Sequence, residues 1–491
     1  MDAITGMRLA VEGKVTLTIG DSNLEVSAPR DRSSCAPVSS NGSGKHLIPL
    51  YNVLWAEISS DSISIDYAEQ TSKTMVKPRK LTFPLRASGD DAAPETNPEQ
   101  FVASLLAKAY HNSKPQKRAY ALVNPNAGPG HAVTQWKNEV KPLFDAARMQ
   151  VDMVVLKKGG EATDLVEQVD INKYDTIMAC SGDGTVHEVF NGLGKRADAA
   201  AALTKIAVSH IPSGSGNAMS CNLYGSPRPS LAALAIIKGV VTPIDLVSIT
   251  QSDRRILSFL SQSLGIIAES DLGTENMRWM GSTRFDVGVA TRIFQKKCYP
   301  CDLAVKVEIE GKDNVKAHYK RIASKGAPSV PAQEDMDMVK GQGLPPLKYG
   351  TVQDDLPEGW EMVSYDKIGN FYCGNMAWMA PNANFFSASL PSDGLMDLVT
   401  MDGDVPIVTA IKTLMSVESG TFFEKPSVSY KKISAYRIIP RNQQGGYISI
   451  DGEKVPFEAF QAEIHPGLGR VISKRGVYEA DGPSGWEKAT A

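Results

Sequence analysis

Apolar and polar positions alternate with a period of two through the first part of the chain. Val15, Leu17 and Ile19 are separated by polar residues, and so are Ile63, Ile65 and Tyr67, then Leu81, Phe83 and Leu85. That period predicts half-buried strands. It changes near residue 97. Asn97 suits a helix N-cap, Pro98 the first helical position and Gln100 the capping-box position. Phe101 with Leu105, and Val102 with Leu106, then form a helical apolar face. Residues 30–46, rich in Ser, Gly and Pro, predict a loop.

Strands closed by one helix predict a β-rich domain over residues 1–112, with the element order of a pleckstrin-homology-like fold. Lipid binding does not follow from that order. From residue 118 the pattern switches to short apolar runs, Ala119–Val123, Thr176–Cys180 and Ile206–Ile211, each ending in Gly, Asn or Pro and followed by a helical stretch. This predicts an α/β nucleotide-binding domain over 116–250 with a parallel sheet. Ligands of such sheets sit at the carboxyl ends of the strands. Strands lengthen and helices thin out over 251–478, predicting a mostly antiparallel β-sandwich domain. Within it, 322–358 is rich in Pro, Gly and Lys with an acidic patch from Glu334 to Asp337, and is expected to be a disordered insertion.

Composition narrows the function classes. A length of 491 residues allows two to four domains, and a formal net charge of −3 argues against a nucleic-acid binder. No apolar run reaches eighteen residues. The Met1-Asp2-Ala3 start lacks a leader pattern and the glycine needed for myristoylation, so a cytoplasmic location is expected. The six cysteines do not make a disulfide framework in so long a chain. Cys298-Tyr-Pro-Cys301 lacks the second pair or the histidines that structural zinc needs.

The chemistry concentrates in glycine-rich loops after the parallel strands. Ser181-Gly182-Asp183-Gly184-Thr185 follows the strand ending at Cys180, and the helix after it aims its N-terminus at the same spot. Two glycines permit close backbone approach, and the helix dipole favours phosphate. Asp183 adds a carboxylate that pure phosphate binding would not want. Phosphoryl transfer would use it, to hold magnesium or to take a proton from an attacking hydroxyl. The alternative is a tight turn with Asp as a cap. Asn124-Pro125-Asn126-Ala127-Gly128 and Pro212-Ser213-Gly214-Ser215-Gly216-Asn217 end two further strands. No GxxxxGK[ST] occurs, and Met219 stands where a GxGxxG would need its third glycine.

In these loops, in the run Ser181–Leu193, and in the blocks Glu269–Arg284, Ser392–Leu398 and Ile450–Glu453, the chain resembles the diacylglycerol-kinase-like catalytic domain, and within it the sphingosine (long-chain base) kinases. The resemblance covers most of 118–475. It implies a magnesium- and ATP-dependent lipid kinase that phosphorylates the primary hydroxyl of a sphingoid long-chain base and associates peripherally with membranes. Carried over by residue, Asp183 would be the general base, and Ser181, Gly182 and Gly184 would line the meeting point of lipid and nucleotide. Asn124, Pro125, Asn126, Ser213, Gly214, Ser215 and Glu188 would contact the nucleotide. Arg278 and Arg284 would hold its phosphates, and Asp451, Gly452 and Glu453 would close its site. Asp271, with Thr274 and Glu275 beside it, would receive the substrate. The stretch 156–162 departs from the family, with Leu156 and Glu161 where a threonine and a histidine are usual. Backbone contacts from Gly159 and Gly160 would remain there.

Asp271 bears on the substrate class. A carboxylate facing a dry lipid pocket needs a cationic partner, which a long-chain base supplies and a ceramide or diacylglycerol does not. Its alternative reading is the N-cap of a helix over 272–279. Ceramide or diacylglycerol kinase, and an inactive lipid-binding scaffold, stay open. His187, one turn into the helix, is expected to be structural. Asp393 and Asp397 could be metal ligands, but Ser392-Asp393-Gly394 is expected to be a turn before a strand, and Asn384-Phe385-Phe386 is expected in the core.

Overall fold

The computed structural model describes residues 6–12, 15–28, 45–85, 96–273, 295–326, 343–441 and 445–484. The chain divides into two compact units. One comprises Met1–Arg118, Gln135–Val151 and Arg228–Val240, and the other Ala119–Thr134, Asp152–Pro227 and Val241–Ala491.

In the first unit the alternating pattern becomes two antiparallel sheets. Met7–Ala10, Thr16–Ile19, Asn23–Ser27 and Lys45–Pro49 form one, and Val53–Ser59, Ser62–Ser72 and Met75–Pro84 the other. Leu17, Ile19, Ile63 and Ile65 are buried. The helix Pro98–Tyr110 starts where the sequence places it: Asn97 Oδ1 accepts the N–H groups of Glu99 at 2.8 Å and Gln100 at 3.3 Å. Its Phe101 and Leu105 are fully buried, each contributing about 1.5–3 kcal/mol, and the Tyr110 hydroxyl donates to the Leu54 carbonyl at 2.6 Å. Lys238 is buried with its ammonium 3.7 Å from the centre of the Tyr110 ring and 3.2 Å from the Ala109 carbonyl. Burial, aided by the charge of Lys117, pulls that ammonium down to about 7.

The second unit is organised by a mixed sheet of 15 strands among the described residues. Its parallel part runs Gln150–Val155, Arg118–Val123, Thr176–Ser181, Ala207–Pro212. The strand Phe460–Ser473 lies next, parallel to Ala207–Pro212 through Val208 and Val471, and antiparallel to Ser429–Pro440 on its other side. The sheet then continues through Met396–Asp402, Ile368–Gly374, Ser261–Gly265, Ile448–Ile450 and Glu453–Val455. Tyr436, Phe371, Phe460 and Ile438 anchor the core of this antiparallel part.

One reading of the sequence needs correction here. Residues 343–358 are not loose: Glu463 accepts the N–H groups of Lys348 and Tyr349, Gln461 donates to the carbonyls of Tyr349 and Gly350, and Arg437 donates to those of Thr351 and Asp354. Residues 322 and 323 end the helix Lys312–Ala323, and 327–342 lie outside the described residues. Asp393 does make the expected turn, with Gly394 at φ +75° and Asp393 Oδ1 accepting the Leu395 N–H. It is also an ion-pair partner, because the wholly buried Lys432 ammonium lies 2.7 Å from Asp393 and 3.2 Å from Asp397. Both cysteines of the Cys298–Cys301 pair are free thiols. No helix among the described residues is long and apolar enough to cross a membrane.

Candidate active site

The register of the parallel strands brings the loops together. Cys180 pairs with Val123, and Ser181 with Pro212, so the three strands end side by side. Their loops then touch backbone to backbone. A Cβ on Gly214 would lie 2.4 Å from Gly182 Cα, and one on Gly128 would lie 2.6 Å from the Ser213 carbonyl oxygen. Gly128 also holds φ at +51°. Only glycine permits both the approach and that conformation. The Asn124 Nδ2 reaches Thr185 Oγ1 at 3.4 Å, and its Oδ1 accepts the Asn126 N–H at 3.0 Å, which ties the first loop to the second.

Asp183 opens the helix Asp183–Gly194. Its Oδ2 accepts the Ala218 N–H at 2.9 Å and its Oδ1 the Met219 N–H at 3.0 Å. Both amides belong to the start of the helix Ala218–Tyr224, in the loop that carries Ser213–Ser215. The carboxylate is thus fixed by two donors while 13% of its side chain stays exposed, enough to meet a substrate proton. Ser181 is buried, its hydroxyl donating to the Gly182 carbonyl and its own carbonyl accepting the Ser213 N–H at 2.8 Å. Glu453 sits against the same helix start, its Oε1 at 2.5 Å from where a Gly184 Cβ would be.

The sequence missed His210. It lies in the strand Ala207–Pro212, fully buried, with Nε2 2.9 Å from the Ser181 carbonyl oxygen and Nδ1 3.9 Å from Asp183 Oδ1. Burial holds its pKa below the usual histidine range, against the opposing pull of the Asp183 charge and the Ser181 carbonyl. A lone histidine inside an apolar run carries no signal beyond core packing.

Three expected nucleotide contacts have other partners. Glu188 accepts the N–H groups of Gly160 and Ala162, both at 3.1 Å, and so orders the 156–162 loop with its carboxylate already engaged. The Gly160 amide is occupied for the same reason, while Gly159 faces open space. Asp451 is fully buried and accepts five hydrogen bonds. Oδ1 takes the Ser258 hydroxyl at 2.5 Å and the N–H groups of Leu260 and Ser261 at 3.0 Å, and Oδ2 takes the Phe259 N–H at 3.1 Å and His187 Nδ1 at 2.8 Å. Its side chain positions the Asp451–Glu453 turn and has no capacity left for a nucleotide. His187 is structural, as expected. Burial lowers its pKa, but the Asp451 hydrogen bond and the charges of Asp451, Glu453 and Glu188 outweigh this and raise it.

Asp271 is not an N-cap. It lies in the last turn of the helix Ile266–Leu272, where the macrodipole disfavours negative charge and favours cations. Its Oδ2 comes within 3.9 Å of a Cβ position on Gly452, which places it beside the Asp451–Glu453 turn. Ile266 and Ile267 of the same helix line a small apolar cavity of about 50 Å³ with Phe385, Leu414 and Phe422. Phe386 is core, as expected, but Phe385 lines this cavity. A larger groove of about 630 Å³, with Leu303, Val305 and Val307 on one wall, shares Met401, Asp402 and Val405 with it. Thr274, Glu275, Arg278 and Arg284 lie outside the described residues. No cluster of three or more His, Cys, Asp or Glu side chains able to hold a metal occurs among the described residues.

The diacylglycerol kinase catalytic domain family matches residues 118–249, and a domain of unknown function matches residues 7–111. The chain is 34% identical over 432 residues to sphingoid long chain base kinase 5 of Saccharomyces cerevisiae, covering 77% of this chain and 62% of that protein. It is 32% identical over 451 residues to sphingoid long chain base kinase 4 of Schizosaccharomyces pombe, covering 91% of this chain and 92% of the relative. Identity to sphingosine kinase 1 of Arabidopsis thaliana is 31%, over 69% of this chain and 68% of that one.

Proposed function

Because the chain belongs to the sphingoid long-chain base kinase family, we propose that it transfers the γ-phosphate of ATP to the primary hydroxyl of a long-chain base, giving the 1-phosphate and ADP. The observation that carries this reading is the pair of carboxylates in two different surroundings: Asp183 fixed by two amides where three glycine loops meet, and Asp271 in the last turn of an apolar-lined helix. The substrate hydroxyl gives its proton to Asp183 as its oxygen attacks the γ-phosphorus, and ADP leaves with the electron pair of the broken P–O bond.

The nucleotide lies over the loops of Asn124–Asn126 and Ser213–Ser215, with its phosphates toward the start of the Asp183 helix. Gly159, and Arg278 and Arg284 beyond the described residues, complete the set. With no cluster of three or more metal-ligating side chains among the described residues, a Mg²⁺ would be held mainly by the nucleotide phosphates, and Glu453, beside Gly184, is the carboxylate that would serve it. Such an ion would offset the phosphate charge. The base's ammonium pairs with Asp271, and its alkyl chain lies in the apolar cavities. The helix Ile407–Glu418 supports access from a membrane surface, since Ala410, Thr413 and Leu414 line the small cavity while Val408 and Met415 are 63% and 69% exposed. Seven strands and a closing helix support the pleckstrin-homology-like reading of residues 1–112.

Phosphate transfer from Mg-ATP to a long-chain base, a ceramide and a diacylglycerol, each with the parent and with Asp271→Asn, tests the reading. Preference for the base, lost in Asp271→Asn, is expected. Preference for a lipid without an amine, or indifference to Asp271, would overturn the substrate class.

A further inference from the structure

His210 faces Asp183 from behind the loop junction. Its Nε2–H donates to the Ser181 carbonyl at 2.9 Å, which fixes the tautomer and leaves Nδ1 as a bare acceptor. That nitrogen is buried without a hydrogen-bond partner, 3.9 Å from Asp183 Oδ1. Two acceptors that face each other out of water are unfavourable until one proton stands between them. In the resting enzyme the Asp183 carboxylate is satisfied by the amides of Ala218 and Met219. Once Asp183 has taken a proton, Nδ1 is the nearby acceptor for it.

We propose that His210 is a positioning residue for the transfer step, its bare Nδ1 receiving a hydrogen bond from Asp183 once the carboxylate has taken the substrate's proton. The inference rests on the kinase reading above. The substrate O–H bond breaks, its electron pair forms the O–P bond, and the proton resides on Asp183 Oδ1, directed at Nδ1. It returns to solvent through Asp183 when product leaves, because His210 itself is sealed from water. Among the described residues Asp183 is the charged side chain that acts on His210. Cys180, Cys221 and Tyr224 on the packed elements have pKa values that burial pushes up, so they stay neutral. His187 and Glu188 of the Asp183 helix are bonded to Asp451 and to the amides of Gly160 and Ala162. Glu463, His465 and Arg470 stand on the adjoining strand Phe460–Ser473, none of them a charge that acts on His210. The neutral imidazole offers an acceptor that the two amides of Ala218 and Met219, being donors, cannot offer to a protonated carboxyl.

Two variants separate this role from a packing role. His210→Gln can keep the bond to the Ser181 carbonyl but has no acceptor at the Nδ1 position. His210→Asn has the reverse property. The expected result is a kcat loss of about tenfold or more in His210→Gln and a smaller one in His210→Asn. KM for ATP should be unchanged in both, and the acid limb of kcat/KM in His210→Gln should move to lower pH. Parent-like kcat and acid limb in His210→Gln, or the opposite order of the two variants, would overturn the proposal. A parent that transfers no phosphate to a long-chain base would sink the kinase reading instead. Should His210→Gln fail to fold, nitrogen NMR of the parent decides. An Nε2–H tautomer whose Nδ1 signal moves in Asp183→Asn is expected, and a protonated or unresponsive Nδ1 contradicts the idea.

Discussion

Replacing Asp451 by asparagine should weaken the second unit without disturbing its backbone. Asp451 and Gly452 form the two-residue loop between Ile448–Ile450 and Glu453–Val455, at φ +54° and +85°. Asn-Gly is the favoured pair for such a turn, so only the hydrogen bonds change. With its amide oxygen kept toward Ser258, Leu260 and Ser261, the asparagine Nδ2 would face the Phe259 N–H and His187. His187 can change tautomer and accept. The Phe259 N–H cannot, and a buried orphaned donor costs about 1–3 kcal/mol. The three remaining bonds lose charge assistance, which roughly halves them. Together the loss is about 3–7 kcal/mol, and thermal melting should fall by roughly 4–10 °C. The raised His187 pKa adds a pH signature. Its stabilisation is full below the unfolded histidine value and fades as pH rises through the folded one, so the parent loses stability there and the variant does not. A variant that melts within about a degree of the parent would refute this accounting. A raised KM for ATP with unchanged melting would return the Asp451 side chain to the nucleotide.

Gly214→Ala would put a methyl 2.4 Å from Gly182 Cα, where only backbone could yield. Overpacking of about 1–3 kcal/mol and a kcat loss of about tenfold or more are expected, and activity within about twofold of the parent would contradict a close-packed loop junction. Lys238→Met acts on the first unit. The buried lysine is neutral above about 7 while an unfolded one stays charged to 10.5, so the parent gains about 3–5 kcal/mol of stability as pH rises through that window. The variant should therefore outlast the parent in melts at pH 6, and the gap should shrink by pH 10. A constant gap would refute the buried neutral amine.

The parallel strands and their loops were legible because period, length and glycine punctuation agree at each one. Asp183 stood out because an acid between two glycines at a helix start is chemically odd. Long-range pairing was not legible. Glu188 and Asp451 look free in sequence, and their partners come from segments far along the chain. The alternative reading of Asp271, as the cap of a following helix, fails because the residue lies in the last turn of a helix that begins at Ile266. Lys432 follows another lysine in a strand, and nothing local says that this one faces two buried aspartates. Residues 343–358 have the composition of a loose segment, but carbonyls and amides of the backbone, which composition does not report, hold them in place.

The strand Phe460–Ser473 has a consequence for biosynthesis. It is the neighbour on which Ala207–Pro212 closes through Val208 and Val471. During translation the glycine loops and Asp183 leave the ribosome long before that neighbour exists, so the strand bearing His210 must wait with an open, apolar edge. Such an edge is a template for pairing with other chains. A nascent chain halted after residue 250 would expose it. The demand for chaperone protection should therefore peak in the interval between synthesis of the glycine loops and arrival of residues 460–473.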